Sequence, residues 1–255
     1  MEPILYTKDL SRHFGGVAAV SLVSLRVADR RVHSIIGPNG AGKTTLINVI
    51  TGRLEASGGQ VFYQGRNITG RQVHDRVRLG LCRTFQITSI FMGLTVFENV
   101  RIARQAHLGG SLRVFSRRDS LRRVSRDTES IIRRVGLEDV ASVPAKNLAH
   151  GDQRVLEVAI ALAGNPKVVL LDEPAAGMSP TETDQISELI RSLAQDMAVV
   201  LVEHDMEVVM AISDVITVLH QGGVIAEGDP RAISENDEVK KAYLGDEKWA
   251  ALLEI

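Results

Sequence analysis

The chain has a single cysteine, Cys82, among 255 residues, which rules out an internal disulfide and fits a reducing compartment. Cys82 sits in Leu79-Gly80-Leu81-Cys82, where a small buried side chain is expected rather than a reactive thiol. An excess of either charge is also missing. Thirty Lys and Arg face 31 Asp and Glu, and the net charge of −1 provides no bulk field to draw in nucleic acid. No uncharged apolar run approaches the roughly 18 residues that a membrane-crossing helix requires. Docking on a protein that does cross stays open. The opening Met-Glu-Pro-Ile-Leu lacks a basic segment followed by an apolar one, so no export signal is expected. Internal repeats and low-complexity linkers are absent. The length is enough to bury a core, as one large domain or as a core with a subdomain.

Against these absences stands a glycine-rich run. Residues 37–45 read Gly-Pro-Asn-Gly-Ala-Gly-Lys-Thr-Thr and fill every essential position of a phosphate-binding loop. Val32, Ile35 and Ile36 precede it as the end of a strand, and Leu46, Ile47, Val49 and Ile50 follow with helical spacing. Glycines let the backbone curl so that successive N–H groups face phosphate oxygens, and the helix starting near Gly42 adds its unpaired donors and positive dipole end. Lys43 can reach the β- and γ-phosphates, and the Thr44 hydroxyl can complete the shell of Mg²⁺.

Short strands punctuated by turns are expected over about 4–92: Ile4–Leu10, Ala19–Val27, Val32–Ile36 and Gly59–Tyr63, with a short helix over Asp75–Leu81. From Thr95 the pattern turns helical, and a second helical stretch covers 120–136. Residues 101–134 hold ten arginines against three acids. An RNA surface is weakly supported there because aromatic platforms are almost absent. A solvated helical face, or one beneath anionic lipid heads, explains the bias more simply. After residue 150 helices at Arg154–Ala163 and Thr183–Leu193 alternate with apolar strands at Val168–Leu171, Val199–Val202 and Val215–Leu219. That alternation indicates a largely parallel sheet covered by helices, with about 93–146 as a helical insertion.

Two of these strands end in chemistry. Val168–Leu171 runs into Asp172-Glu173, where Asp172 is placed to hold Mg²⁺ and Glu173 to deprotonate a water attacking a γ-phosphate. A helix cap is the ordinary alternative for such acids. Val202 leads into Glu203-His204-Asp205, where His204 either contacts the γ-phosphate and attacking water or is a surface histidine beside a helix start. Gln86 offers an amide to water and Mg²⁺, and Phe14 is either a base-stacking ring or a core phenylalanine. Leu148-Ala149-His150-Gly151-Asp152-Gln153-Arg154 opens a further helix, about 20 residues before Asp172. This is a second anion-seeking helix start. One ATP does not need two such starts on one chain, but a site shared with a neighbouring subunit does.

With these pieces in order the chain resembles the ATP-binding subunits of ABC transporters over essentially its whole length. The resemblance implies an α/β fold: a P-loop NTPase core of ABC type with an antiparallel β subdomain and an inserted α-helical subdomain. It implies one nucleotide-binding domain over 1–255, with 246–255 as a C-terminal tail. Residues 37–45 would be the Walker A loop, with Asn39, Gly40, Ala41, Gly42, Lys43, Thr44 and Thr45 around ATP and Phe14 on the base. Thr44, Gln86 and Asp172 would serve Mg²⁺. Glu173 would be the catalytic base, assisted by Lys43, Gln86 and the switch residue His204. Ala176-Gly177-Met178-Ser179 would be the D-loop. Ala149, Gly151 and Asp152 would belong to a signature facing the ATP of a partner.

The implied partners are a second ABC ATPase subunit (a homologous chain or a second copy), two transmembrane permease subunits and, indirectly, a substrate-binding protein, with no nucleic acid. The implied place is peripheral, on the cytoplasmic face of the inner (plasma) membrane, with the chain soluble when expressed alone. A narrower resemblance, carried by Arg83-Thr84-Phe85-Gln86, Thr95–Val100, Asp172–Pro180, Glu203–Met206 and Ala242–Gly245, is to the branched-chain (hydrophobic) amino acid uptake branch. Val218–Gly222 looks equally like the related urea and short-amide importers. A non-transport regulatory ATP-binding module is a further alternative. Two departures stand out: the signature serine is Ala149 and its usual glutamine is Asp152, which together weaken the shared site. Arg30-Arg31 also replaces a common Gly-Glu, with consequences expected only for the turn.

Overall fold

The computed structural model describes residues 2–84, 90–108 and 118–243, without the side chains of 118–121. Gln86, Leu244-Gly245 and the tail 246–255 lie outside the described residues. The chain opens with β1 (Leu5–Phe14), β2 (Val17–Val23) and β3 (Arg26–Val27), all antiparallel about β1. The strand expected over 19–27 is therefore two strands, with Ser24 and Leu25 between them. The chain then crosses into a second sheet through β4 (Val32–Ile36), whose five residues are all buried, and enters α1 (Lys43–Thr51). β5 (Gly58–Tyr63) and β6 (Arg66–Asn67) return to the first sheet and complete the order β2-β1-β5-β6, with β3 beside β1.

α2 (Val73–Leu79) ends at Gly80, whose φ of 99° turns the chain out of the helix, so the helix expected to reach Leu81 stops two residues earlier. β7 (Leu81–Arg83) follows. α3 (Val96–His107) starts from a capping box between Thr95 and Glu98, and α4 (Arg118–Arg134) packs on it. Part of the arginine excess here is internal wiring. Arg104 grips Asp127 at 2.7 Å, and Arg134 reaches Asp196 at 2.7 Å.

α5 (His150–Leu162), β8 (Val168–Asp172), α6 (Pro180–Leu193), β9 (Ala198–Val202), α7 (Met206–Ile212) and β10 (Val215–His220) supply the alternation. β11 (Gly223–Gly228), α8 (Pro230–Glu235) and α9 (Asp237–Ala242) close the described chain. The second sheet runs β11-β10-β4-β9-β8-β7, parallel throughout except for β11. Alternate residues of its central strands face opposite ways. Val169, Leu171, Val199 and Leu201 meet Leu156, Ile186 and Ile190 on one side. On the other, Val168, Leu170, Val200 and Val202 join Ile47, Ile50 and the inner face of the antiparallel sheet. This sandwich of apolar side chains fixes the strand register: Ile35 sits opposite Val202, and Val202 opposite Asp172.

A polar chain lies within the pairing of β4 with β10. The Thr217 hydroxyl donates to Glu227 Oε2 at 2.8 Å, so it has no proton left for His33. The His33 Nε2–H is therefore the donor in their 2.8 Å contact. Burial pushes the His33 pKa down to about 4, and the ring is neutral in the folded protein at neutral pH.

Candidate nucleotide site

The shared register ends β4, β9 and β8 in one row, so the loops after Ile36, Val202 and Asp172 open side by side at the carboxyl edge of the sheet. Residues 37–45 leave β4 and run into α1 from Gly42, whose φ of 103° is left-handed. A Cβ there would lie 2.2 Å from the Ala19 carbonyl oxygen of β2, so the loop can pack this tightly only with glycine. Gly222 N–H donates to the Ala41 carbonyl at 3.0 Å and ties the loop to the β10–β11 turn as well. Lys43 Nζ folds across the loop and donates to the Gly37 and Pro38 carbonyls at 2.6 and 3.1 Å. Burial lowers the Lys43 pKa, while the charges of Glu173 and Asp172 pull it back up. That opposition puts the ammonium and both carboxylates in one electrostatic field.

Asp172, at the end of β8, is buried and held by Arg83 of β7 through a 2.6 Å contact to Oδ2. The other end of the Arg83 guanidinium reaches Asn48 Oδ1 of α1 at 2.6 Å. Asp172 Oδ1 is buried without a hydrogen-bond partner among the described residues. A carboxylate oxygen left in that condition fits a divalent cation or its water. Among the described residues no group of three or more His, Cys, Asp or Glu is placed to hold a metal ion by itself. A cation here would therefore take its remaining ligands from the Thr44 hydroxyl, phosphate and water, the usual habit of Mg²⁺.

Glu173 adopts φ 51°, a left-handed conformation that costs a side-chain-bearing residue about 1–2 kcal/mol. Its N–H donates to the Val202 carbonyl at 2.8 Å, which holds the turned backbone in place. On the neighbouring strand end, the buried Glu203 accepts from the Ala175 N–H at 2.8 Å and from the His204 N–H at 3.1 Å. Burial pushes the Glu203 carboxyl up, against the pull of those two donors. His204 is exposed, with Nδ1 3.8 Å from Glu203 Oε2. Phe14 is 46% exposed at the end of β1, with the Arg12 guanidinium 4.7 Å above its ring centre. An exposed, cation-capped ring is not a core phenylalanine.

Ala149 is the N-cap of α5 and offers no side-chain bond, with His150 and Gly151 opening the helix and Asp152 in its first turn. α5 and α6 begin earlier than the expected Arg154 and Thr183, at His150 and Pro180. α6 begins at Pro180 because Ser179 and Glu182 form a capping box. Cys82 is buried, and its pKa is pushed up to about 11 by burial, in keeping with an inert thiol. Arg30 takes φ 53° in the turn before β4, and Arg31 pairs with Asp214 at 2.7 Å, so that departure is local. The residues not read as functional beforehand are Arg83, Asn48, Glu203 and Glu182. A lone charge in the otherwise apolar strand Leu81-Cys82-Arg83 was the available sign of a buried partner.

The described geometry is matched by known proteins. The family model for ABC transporters matches residues 20–176, and that for the branched-chain amino acid ATP-binding cassette transporter matches residues 224–248. The high-affinity branched-chain amino acid transport ATP-binding protein BraF of Pseudomonas aeruginosa is 41% identical over 251 residues, covering 96% of this chain and 98% of that protein. The corresponding protein LivG of Escherichia coli is 39% identical over 252 residues, covering 96% and 99%. An ATP-binding cassette of an ABC transporter solved in its ADP conformation superposes with a TM-score of 0.86 at 29% identity, covering 96% of this chain and 100% of that one. The phosphate loop, its facing carboxylates and these relatives agree: this chain belongs to the ATP-binding subunits of the ABC transporter family.

Proposed function

We propose that the chain hydrolyses ATP as the motor of an importer for branched-chain or other hydrophobic amino acids. The observation that carries the reading is the convergence of the strand ends and loops bearing Lys43, Asp172 and Glu173 at one sheet edge, with Asp172 Oδ1 left without a hydrogen-bond partner among the described residues. The phosphates lie in the loop 37–45, against its N–H groups, the start of α1 and the Lys43 ammonium. Phe14 stacks on the base. Thr44 and Asp172, with Gln86, would hold Mg²⁺, which would supply charge neutralisation on the phosphoryl group. Glu173, turned off the strand by its left-handed backbone, takes the proton of the attacking water, and His204 orients that water and the γ-phosphate. The signature Ala149, Gly151 and Asp152 faces the nucleotide of a second ATPase subunit.

The coupling to membrane subunits is supported by a groove. A cavity of 370 Å³ opens between α2, β7, α3 and α5, lined by Val73, Val77, Leu81, Ala103, Ala106 and Ile160 among others. An amphipathic permease segment docks there, its apolar side on these residues and its polar side toward Arg53, Arg78 and His107 of the same lining. No helix among the described residues is long and apolar enough to cross a membrane. The cargo assignment rests on BraF and LivG, whose names specify branched-chain amino acids.

Uptake of radiolabelled leucine, urea and short amides by cells with and without the gene tests the cargo. Leucine uptake that depends on the gene is the expected result, and dependence of urea uptake alone reassigns the importer. Purified protein with Glu173→Gln tests the chemistry: ATP binding is retained and turnover collapses. Normal turnover in that variant removes Glu173 from the base role.

A further inference from the structure

The capping box at the start of α6 uses only half of its carboxylate. Glu182 Oε2 accepts both the Ser179 N–H at 2.8 Å and the Ser179 hydroxyl at 2.7 Å. Oε1 points elsewhere, onto the start of α5. A Cβ on Gly151 would lie 2.5 Å from Oε1 and 2.9 Å from Cδ, so the carboxylate covers the Cα of Gly151. The Ser179 bonds hold the Glu182 pKa below its ordinary value, and the Gly151 N–H and nearby His150 add to that hold. The His150 ring in turn lies against Gly177, where a Cβ would meet Cε1 at 3.3 Å. Two helix starts therefore converge, each with N–H groups that lack partners within the helix and a positive dipole end, and one carboxylate faces both.

We propose that Glu182 is a positioning residue that occupies the anion-seeking start of α5 and competes there with the phosphate of a nucleotide on a second ABC chain. The inference rests on the reading of 148–152 as a signature facing a partner's ATP. In that reading Gly151 serves the γ-phosphate through its N–H. Glu182 sets its carboxylate against the Cα of Gly151 from within the same chain, at the place where that phosphate would arrive. A polyphosphate arriving at Gly151 meets a carboxylate of like charge, so closure of two subunits must either move Glu182 off α5 or carry the repulsion. The carboxylate also belongs to the helix that follows the D-loop, so moving it shifts Ser179 and Gly177 along with it. ATP engagement by one chain is thereby transmitted to the loop that follows the catalytic Glu173 of the other.

The variant Glu182→Gln separates this role from helix capping, because glutamine completes the same S-x-x-E/Q box without the charge. Glu182→Ala removes both. Each is made in the Glu173→Gln background, which retains ATP, and purified with its second ATPase subunit, or alone if the chain pairs with itself. Association is followed by light scattering as Mg-ATP is titrated. Fluorescent ADP binding and thermal unfolding of the single chain are measured alongside.

Glu182→Gln is expected to lower the ATP concentration for half-maximal association about five-fold, at unchanged ADP affinity and unchanged Tm. Glu182→Ala is expected to do the same with a lowered Tm. An unchanged or raised ATP requirement in Glu182→Gln overturns the competition and leaves Glu182 as a cap. Absence of ATP-driven association with Glu182 intact overturns the shared-site reading itself, and the competition with it.

Discussion

The chain has two glycine-bearing loops that feed a helix start, at 37–45 into α1 and at 148–152 into α5, and they are prepared for anions in opposite ways. The first turn of α1 contains no acid, and Lys43 stands at its head. The first turn of α5 contains Asp152, its N-cap Ala149 has no hydroxyl to offer, and Glu182 leans on Gly151. Backbone geometry alone makes both helix starts suited to an anion. The side chains around them make the first strongly attractive and leave the second partly neutralised from within. In the proposed shared site, weakness built from carboxylates is reversible where a missing helix start is not.

The contrast can be broken first at the chemistry beside α1. Glu173→Gln is expected to slow ATP turnover by roughly 100- to 10,000-fold, read by phosphate release, with nucleotide binding retained. Next comes the charge that supports Asp172. Arg83→Leu leaves a buried carboxylate unpaired and is expected to cost about 3–5 kcal/mol in urea unfolding, far more than loss of an exposed pair such as Arg231–Glu235.

The platform under the first loop is tested by pH. His33 of β4 has its pKa held at about 4 in the folded chain against 6.5 when unfolded, so the unfolded chain protonates first. Its contribution is complete above pH 6.5 and is lost as pH falls toward 4, about 3 kcal/mol in all. Unfolding free energies at pH 7 and pH 4.5 are expected to differ less in His33→Gln than in the parent. The smallest effect belongs to the second loop. Ala149→Ser restores a donor toward the partner's phosphate and is expected to stabilise ATP-driven association by about 2 kcal/mol. Unchanged association removes position 149 from the shared site.

Periodicity and punctuation carried much of the fold. The apolar runs at 168–171 and 199–202 are strands because a sheet covered on both faces needs continuous apolar residues, and such runs are visible without coordinates. β11 was not read because its burial is only partial along Gly223–Gly228. The start of α6 is legible from Ser179, Pro180 and Glu182, although its apolar spacing begins only at Ile186. Within the site, Lys43, Asp172 and Glu173 lie in motifs contiguous in sequence. The Arg83–Asp172–Asn48 linkage was hidden because it joins three separate elements, and its only local trace is one arginine in a three-residue strand. The Glu182–Gly151 approach is of the same kind: both residues were in view, their adjacency was not.

The packing of β2 on the phosphate loop has a metrical consequence. Ala18 and Ala19 of β2 sit against Gly42 and Gly222, and the Ser21 N–H donates to the Gly222 carbonyl at 2.8 Å. Phe14 on the preceding strand and Lys43 on the loop are thus mounted on one stiff frame. The frame works as a gauge of set length. In the proposed site, a ligand with a ring on Phe14 and a terminal phosphate at Lys43 would have to match that span.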